Sequence, residues 1–267
     1  MGARELLVQY TCHRNIFLKA RGNYALRNVL EILNPKGVLK KILVQDQGGW
    51  LRYLDYPQKY GFVVDKLKTD DGVVLLEDLK AKSKEADAIV YEDPAGYIAE
   101  QPIKEIYKIC SANDCKVVLD VTGSIGWRDK PGQYADFLLC SFGADKPVNL
   151  GYGGFISGHE NYQGMVEDFE KARERELISR LQELKSRQLF LHNMSRQIKN
   201  DLKEFEVIHP EKEGINVMVA FSSVEERQKI IDYCNSKNLE YTLCPRYIRV
   251  LRDGISIEVK RLDGFCR

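Results

Sequence analysis

The chain has 267 residues, 44% of them hydrophobic and 30% charged, so it can bury a sizeable core and lies far from the composition of a disordered segment. Its 40 Lys and Arg against 39 Asp and Glu leave no global basic field to draw nucleic acid or anionic lipid. The cysteines (Cys12, Cys110, Cys115, Cys140, Cys234, Cys244, Cys266) are odd in number and scattered, with no C-x-x-C pair and no Cys/His metal spacing. The start MGARELLVQYTCHRN lacks a continuous apolar stretch, and no run is long enough to cross a bilayer. The expectation is a soluble cytoplasmic protein without nucleic-acid or membrane partners.

In chain order, Tyr24, Leu26, Val29, Leu30 and Leu33 recur at roughly helical spacing, which predicts a helix entered through Gly22-Asn23 and stopped by Asn34-Pro35-Lys36-Gly37. Residues 38–44 read as a strand feeding the loop Gln45-Asp46-Gln47-Gly48-Gly49-Trp50. Short strands at 61–64 and 72–76 precede a polar helix at 77–85. A buried strand at 86–91, a helix at 103–113 and strands at 115–121 and 135–141 follow. Apolar runs without polar alternation, separated by helices, predict a mostly parallel sheet in a three-layer α/β/α arrangement. Residues 161–205 are polar and free of proline, with Gly164 as the one glycine, and predict a long connecting helix. Strands at 214–222, 239–243, 247–251 and 254–260 around a helix at 224–236 predict a small C-terminal α/β unit. The expected division is therefore 1–160, 161–205 and 206–267.

Chemistry concentrates between residues 117 and 157. Asp120 ends one apolar strand, Ser141 ends the next, and Lys146 follows in a loop closed by Gly151, Gly153 and Gly154. Singly, these are a cap, a turn residue, a solvated cation and turn glycines. Together they place a carboxylate, a hydroxyl and an amine at the carboxyl edge of a parallel sheet, where the ligands of such folds bind.

The stretch LDVTGSIG followed by CSFGADKPVNLGYGGFI resembles fold-type-I aminotransferases of the DegT sugar-aminotransferase type over about 40 residues. The resemblance implies pyridoxal 5'-phosphate as cofactor, with Lys146 as its Schiff-base lysine and proton shuttle. It also implies Asp120 as partner of the pyridinium nitrogen and Ser141 as a phosphate ligand. Gly22-Asn23-Tyr24-Ala25, opening a helix, resembles the family's Gly-Thr-x-Ala phosphate turn, which implicates Asn23 and Tyr24; an amide replaces the usual hydroxyl. Trp50 stands roughly where an aromatic ring stacks on the cofactor, or is a core tryptophan. Glu92-Asp93-Pro94-Ala95-Gly96-Tyr97 reads first as a polar turn, with contact to the cofactor's ring hydroxyl or to substrate as the alternative. A small-domain arginine often clamps the substrate carboxylate in such enzymes, and spacing does not choose among Arg246, Arg249, Arg252 and Arg261.

His13, His159, His192 and His209 look isolated, with no metal spacing among them, and neither a P-loop nor GxGxxG follows a strand. The chain is shorter than typical members of the family, and Val121-Thr122-Gly123 lacks the larger polar residue that sugar aminotransferases carry there. The expected function is that of a homodimeric aminotransferase acting on a small-molecule amino donor and a keto acceptor. The alternatives are a lyase or desulfurase-type reaction, and a non-catalytic scaffold that keeps the fold.

Overall fold

The computed structural model describes residues 1–162 and 165–263; Gly164 and Cys266, noted above, lie outside them. Helix α1 (Ala3–Thr11) and strand β1 (Asn15–Lys19) open the chain, followed by α2 (Gly22–Leu33), β2 (Lys40–Gln45), the short α3 (Arg52–Asp55) and β3 (Phe62–Leu67). The hairpin β4 (Thr69–Asp70) and β5 (Val73–Val74) leads to α4 (Leu76–Lys82), β6 (Ala88–Glu92), α5 (Ile103–Ser111), β7 (Lys116–Asp120), β8 (Phe137–Ser141) and β9 (Gly154–Gly158). Helix α6 (Glu174–Asp201) then gives way to β10 (Glu206–Val207), β11 (Val217–Ala220), α7 (Val224–Ser236), β12 (Tyr241–Cys244) and β13 (Gly254–Ile257).

Seven strands form one mixed sheet in the order β1-β9-β8-β7-β6-β2-β3. The pairs from β3 through β8 are parallel, while β9 runs antiparallel to both β8 and β1. The apolar runs have a direct cause. In β7, Val117 and Leu119 join the core that holds Leu6, Ile106 and Leu184 on one face, whereas Val118 joins Leu26, Val29 and Tyr53 on the other. Both faces are therefore covered by helices, and the three-layer α/β architecture expected from the sequence is present. The second sheet, β10-β11-β13-β12, is antiparallel and buries Val217, Ile255 and Ile257 with Ile230 of α7 and Leu191 and Ile198 of α6.

Two expectations differ from the structure, and one strand pair was not expected at all. The antiparallel pair β1 and β9 went unread, because β1 is a short edge strand and β9 follows glycines that look like a turn. The long helix expected over 161–205 occupies only Glu174–Asp201. Upstream of it, the Glu167 and Asp168 carboxylates accept hydrogen bonds from the Leu18 and Ala20 amides, and the Asp168 amide donates to Leu18 O, so this segment lines the free edge of β1 instead of coiling. The strand expected at 247–251 is a turn, in which the Arg249 amide donates to Arg246 O and the Tyr247 carbonyl accepts from Gly48 N. The chain there folds back against the large sheet's loops.

Candidate active site

The carboxyl ends of β6, β7 and β8 converge on a cavity of about 190 Å³. At the end of β7, Asp120 is held from both sides: Oδ2 accepts from the buried Tyr53 hydroxyl at 2.6 Å and Oδ1 accepts from the Thr122 amide at 2.9 Å. The Thr122 hydroxyl in turn accepts from the Ser141 amide at 2.9 Å, which ties the ends of β7 and β8 together. The carboxylate is thus fixed in direction by the fold, as parallel-sheet edges permit.

Ser141 faces the start of α2 at very close range. A Cβ on Gly22 would lie 2.7 Å from Ser141 Cβ, and one on Gly154 would lie 2.3 Å from Cys140 O, so both positions need glycine for the helix to begin against β8 and β9. The Arg21 side chain makes no cap hydrogen bond at this terminus. The first amides of α2, the Ser141 hydroxyl and Asn23 then form a concave set of donors suited to an anion. A second cavity of about 490 Å³ continues outward from this cradle past Trp50, with Arg21, Arg52 and Tyr152 on its walls.

Lys146 reaches the inner cavity from the loop after β8 and donates to the Tyr97 hydroxyl at 2.7 Å. Tyr97 is buried, with φ of +68° in the turn after β6, a left-handed conformation that is uncommon for a bulky residue and typical of functional sites. Its hydroxyl donates on to Glu92, which ends β6 and is 4% exposed. Burial, then the neighbouring Asp120, pushes the Glu92 carboxyl up to about 8, so it carries a proton at neutral pH. Burial and the nearby Arg249 pull the Lys146 ammonium below the ordinary lysine range, and Asp120 opposes this without cancelling it. A larger share of neutral, nucleophilic amine follows.

This arrangement predicts a pH effect on stability. Because the folded Glu92 value lies above its unfolded one, its favourable contribution is complete below about pH 4.5 and is lost as pH rises through about 8. Glu92→Gln, which cannot ionise, should gain relative to the parent by up to about 1.4 kcal/mol per pH unit across that window. Thermal melts of the cofactor-free proteins from pH 5 to 9 test this, and parallel curves would contradict it.

Behind Tyr97 sits a buried clasp built from the β12–β13 connection and the end of β13. Arg249 donates to both Glu258 oxygens, Nε to Oε1 at 3.0 Å and Nη2 to Oε2 at 2.7 Å, while its guanidinium lies 5.3 Å from the Tyr97 ring centre. Lys260 Nζ stands 3.4 Å from Glu258, and Asn216 and Ser256 also donate to that carboxylate. Burial alone would raise the Glu258 carboxyl, yet Arg249 and Lys260 hold it down at about 2.

Of the residues anticipated from the sequence, Asn23, Trp50, Asp120, Ser141 and Lys146 line this one cavity. Tyr24 does not: its side chain lies on a separate hollow beside Lys19 and Arg27. Sequence reasoning missed Tyr53 and Thr122 and read Glu92 and Tyr97 first as parts of a polar turn, with contact to cofactor or substrate as the alternative; both line the cavity, and Glu92 ends an apolar strand as Asp120 does. Arg252 pairs with Asp71 and Glu206, and Arg261 with Glu240 and Asp145, while Arg249 packs behind Tyr97 without lining the cavity itself. His13 and His159, which looked isolated in the sequence, pack edge to face with ring centres 4.4 Å apart. His192 stacks on Trp127 at 3.7 Å. Among the described residues no group of three His, Cys, Asp or Glu is placed to hold a metal ion, and no helix is long and apolar enough to cross a membrane.

The two sheets have the fold of the fold-type-I pyridoxal-phosphate-dependent enzymes. An alanine–glyoxylate aminotransferase from Nostoc sp. superposes with a TM-score of 0.71 at 14% identity, over 96% of this chain and 79% of that one. A cysteine desulfurase from Thermococcus onnurineus NA1 gives 0.70 at 14% identity, over 96% and 77%. A serine palmitoyltransferase from S. paucimobilis with bound PLP-myriocin aldimine gives 0.72 at 14% identity, over 96% and 70%. Residues 189–266, from within α6 onward, match the model of the MJ1341 family C-terminal domain. No curated protein matches the chain.

Proposed function

We propose that the chain is a cytoplasmic pyridoxal-phosphate-dependent enzyme, an aminotransferase that attaches its cofactor through Lys146 and passes an amino group from a small donor to a keto acceptor. The observation that carries this reading is the meeting of Lys146 Nζ, the Asp120 carboxylate and the Ser141–α2 cradle in one cavity within this fold. The residues fit the group: the cradle offers the first amides of α2, the Ser141 hydroxyl and Asn23 to a phosphate; Asp120 offers a fixed carboxylate to a ring nitrogen; Trp50 offers an aromatic face. We further propose residues 1–160 as the cofactor-binding domain, α6 as the connector, 206–267 as a small domain, and a homodimer as the assembly, in keeping with the DegT-type resemblance.

When bound, pyridoxal phosphate supplies an aldehyde that condenses with primary amines and a protonated ring that withdraws electrons from the adjacent carbon. The chain's residues account for the rest. Asp120 would hold a proton at the ring nitrogen and the depressed Lys146 amine would provide the nucleophile and then the base, while the Tyr97 hydroxyl fixes where that amine points. A desulfurase would need a reactive thiolate. Cys140 does line the cavity, but burial and then Asp120 hold its thiol protonated, which favours the transferase. A bare scaffold would not need Lys146 or Asp120 to build the sheet.

The test is an absorbance scan with pyridoxal phosphate beside Lys146→Ala. A yellow band in the parent that is absent from the variant is expected, with at least about a 10³-fold loss of amine-dependent reaction in the variant. No band in the parent would reject the reading.

A further inference from the structure

We infer that the site takes an amine whose nitrogen-bearing carbon carries no carboxylate, because Arg249, the arginine that among the described residues packs on Tyr97 behind the cavity, is committed inside the protein to Glu258. This rests on the reading of the cavity as a cofactor site. A carboxylate buried beside the reacting carbon needs a cation with hydrogen bonds still to give. Among the described residues, Lys146 is the one cationic side chain on the wall of the inner cavity, facing two carboxyl groups, Glu92 and Asp120. Lys146 is itself the amine that must be free to react.

Arg249 lies behind the Tyr97 ring, and Glu258 engages two edges of its guanidinium while the Ile248 carbonyl accepts from Nη1 at 2.7 Å. Its side chain is 4% exposed and that of Glu258 is 0% exposed, so the pair has no solvent to exchange into. Handing Arg249 to a substrate carboxylate would leave Glu258 buried with Lys260 as its one remaining cation, at a cost that removal of one buried partner makes plain. Lys260 is likewise engaged by Glu258 and by Asp145 O at 3.4 Å. Arg21 and Arg52 line the outer cavity, whose wall does not include Lys146, and neither lines the inner one. Arg249 is thus a positioning residue for Tyr97, and through Tyr97 for Lys146.

The test compares two probes that differ by one carboxylate, ethylamine and L-alanine, titrated into the cofactor-loaded protein and followed by the cofactor's absorbance. Ethylamine is expected to act at a concentration at least about 10-fold lower than L-alanine, and Arg249→Met should shift both probes alike while raising the pH at which Lys146 reacts. Equal or tighter action of L-alanine, with that advantage lost in Arg249→Met, would overturn the inference. If the protein takes up no cofactor, the proposed function fails, and the cavity is read separately in the unloaded Trp127→Phe protein by Trp50 fluorescence. Quenching by ethylammonium without quenching by propionate is then expected, and tighter propionate binding would overturn the inference.

Discussion

Asp120→Asn is expected to slow deuterium uptake at the nitrogen-bearing carbon of an added amine by about 10²-fold or more in the cofactor-loaded protein, without unfolding it. The geometry separates charge from shape. Thr122 N can still donate to the side-chain oxygen, and the Tyr53 hydroxyl can rotate from donor to acceptor toward the new amide, so both anchors survive. What is lost is the negative charge that keeps a proton on the cofactor's ring nitrogen. An unchanged exchange rate would mean that Asp120 is a structural strand end and that the electron-withdrawing role lies elsewhere.

Glu258→Ala is expected to cost about 3–5 kcal/mol, because it leaves Arg249 and Lys260 buried together without their shared anion. For a chain of this size that corresponds to a fall in melting temperature of roughly 10 °C. The pH dependence carries its own signature. The folded Glu258 value, about 2, lies below its unfolded one, so its stabilisation is present above about pH 4.5 and disappears as pH falls through about 2. The parent should lose this increment on acidification, and Glu258→Ala should not. Differential scanning calorimetry between pH 3 and 7 reads both effects, and a variant with the parent's melting temperature would show that the clasp contributes nothing net.

The large sheet was legible because its strands are buried on both faces, and a run such as residues 115–121 leaves no other economical fold. That Asp120, Ser141 and Lys146 would meet at one cavity was legible for a related reason: each stands at or just beyond the end of such a run, where the chain must leave the sheet. Tyr97 was legible only as one residue of a turn that contacts cofactor or substrate in the alternative reading. Its place depends on a left-handed turn and on the approach of Arg249 from the β12–β13 connection more than a hundred residues later, and neither leaves a local pattern. The same long-range pairing explains why the four C-terminal arginines could not be told apart, since only the packing of the second sheet against Tyr97 distinguishes Arg249. Tyr24 lies apart from the cavity because the Gly-Asn-Tyr-Ala turn marks where a helix starts, not which way its first side chains point. The connector was overextended because Glu167 and Asp168 look helical in composition, whereas the β1 edge claims their carboxylates.

The central claim, that Lys146 is the covalent anchor of the cofactor, is tested most directly by loading the protein with pyridoxal phosphate, reducing with borohydride and mapping the modified residue by peptide mass spectrometry. Stoichiometric labelling of Lys146 is expected, retained at a lower pH than on exposed lysines because burial lowers its basicity. Labelling spread over surface lysines with Lys146 unmodified would contradict it.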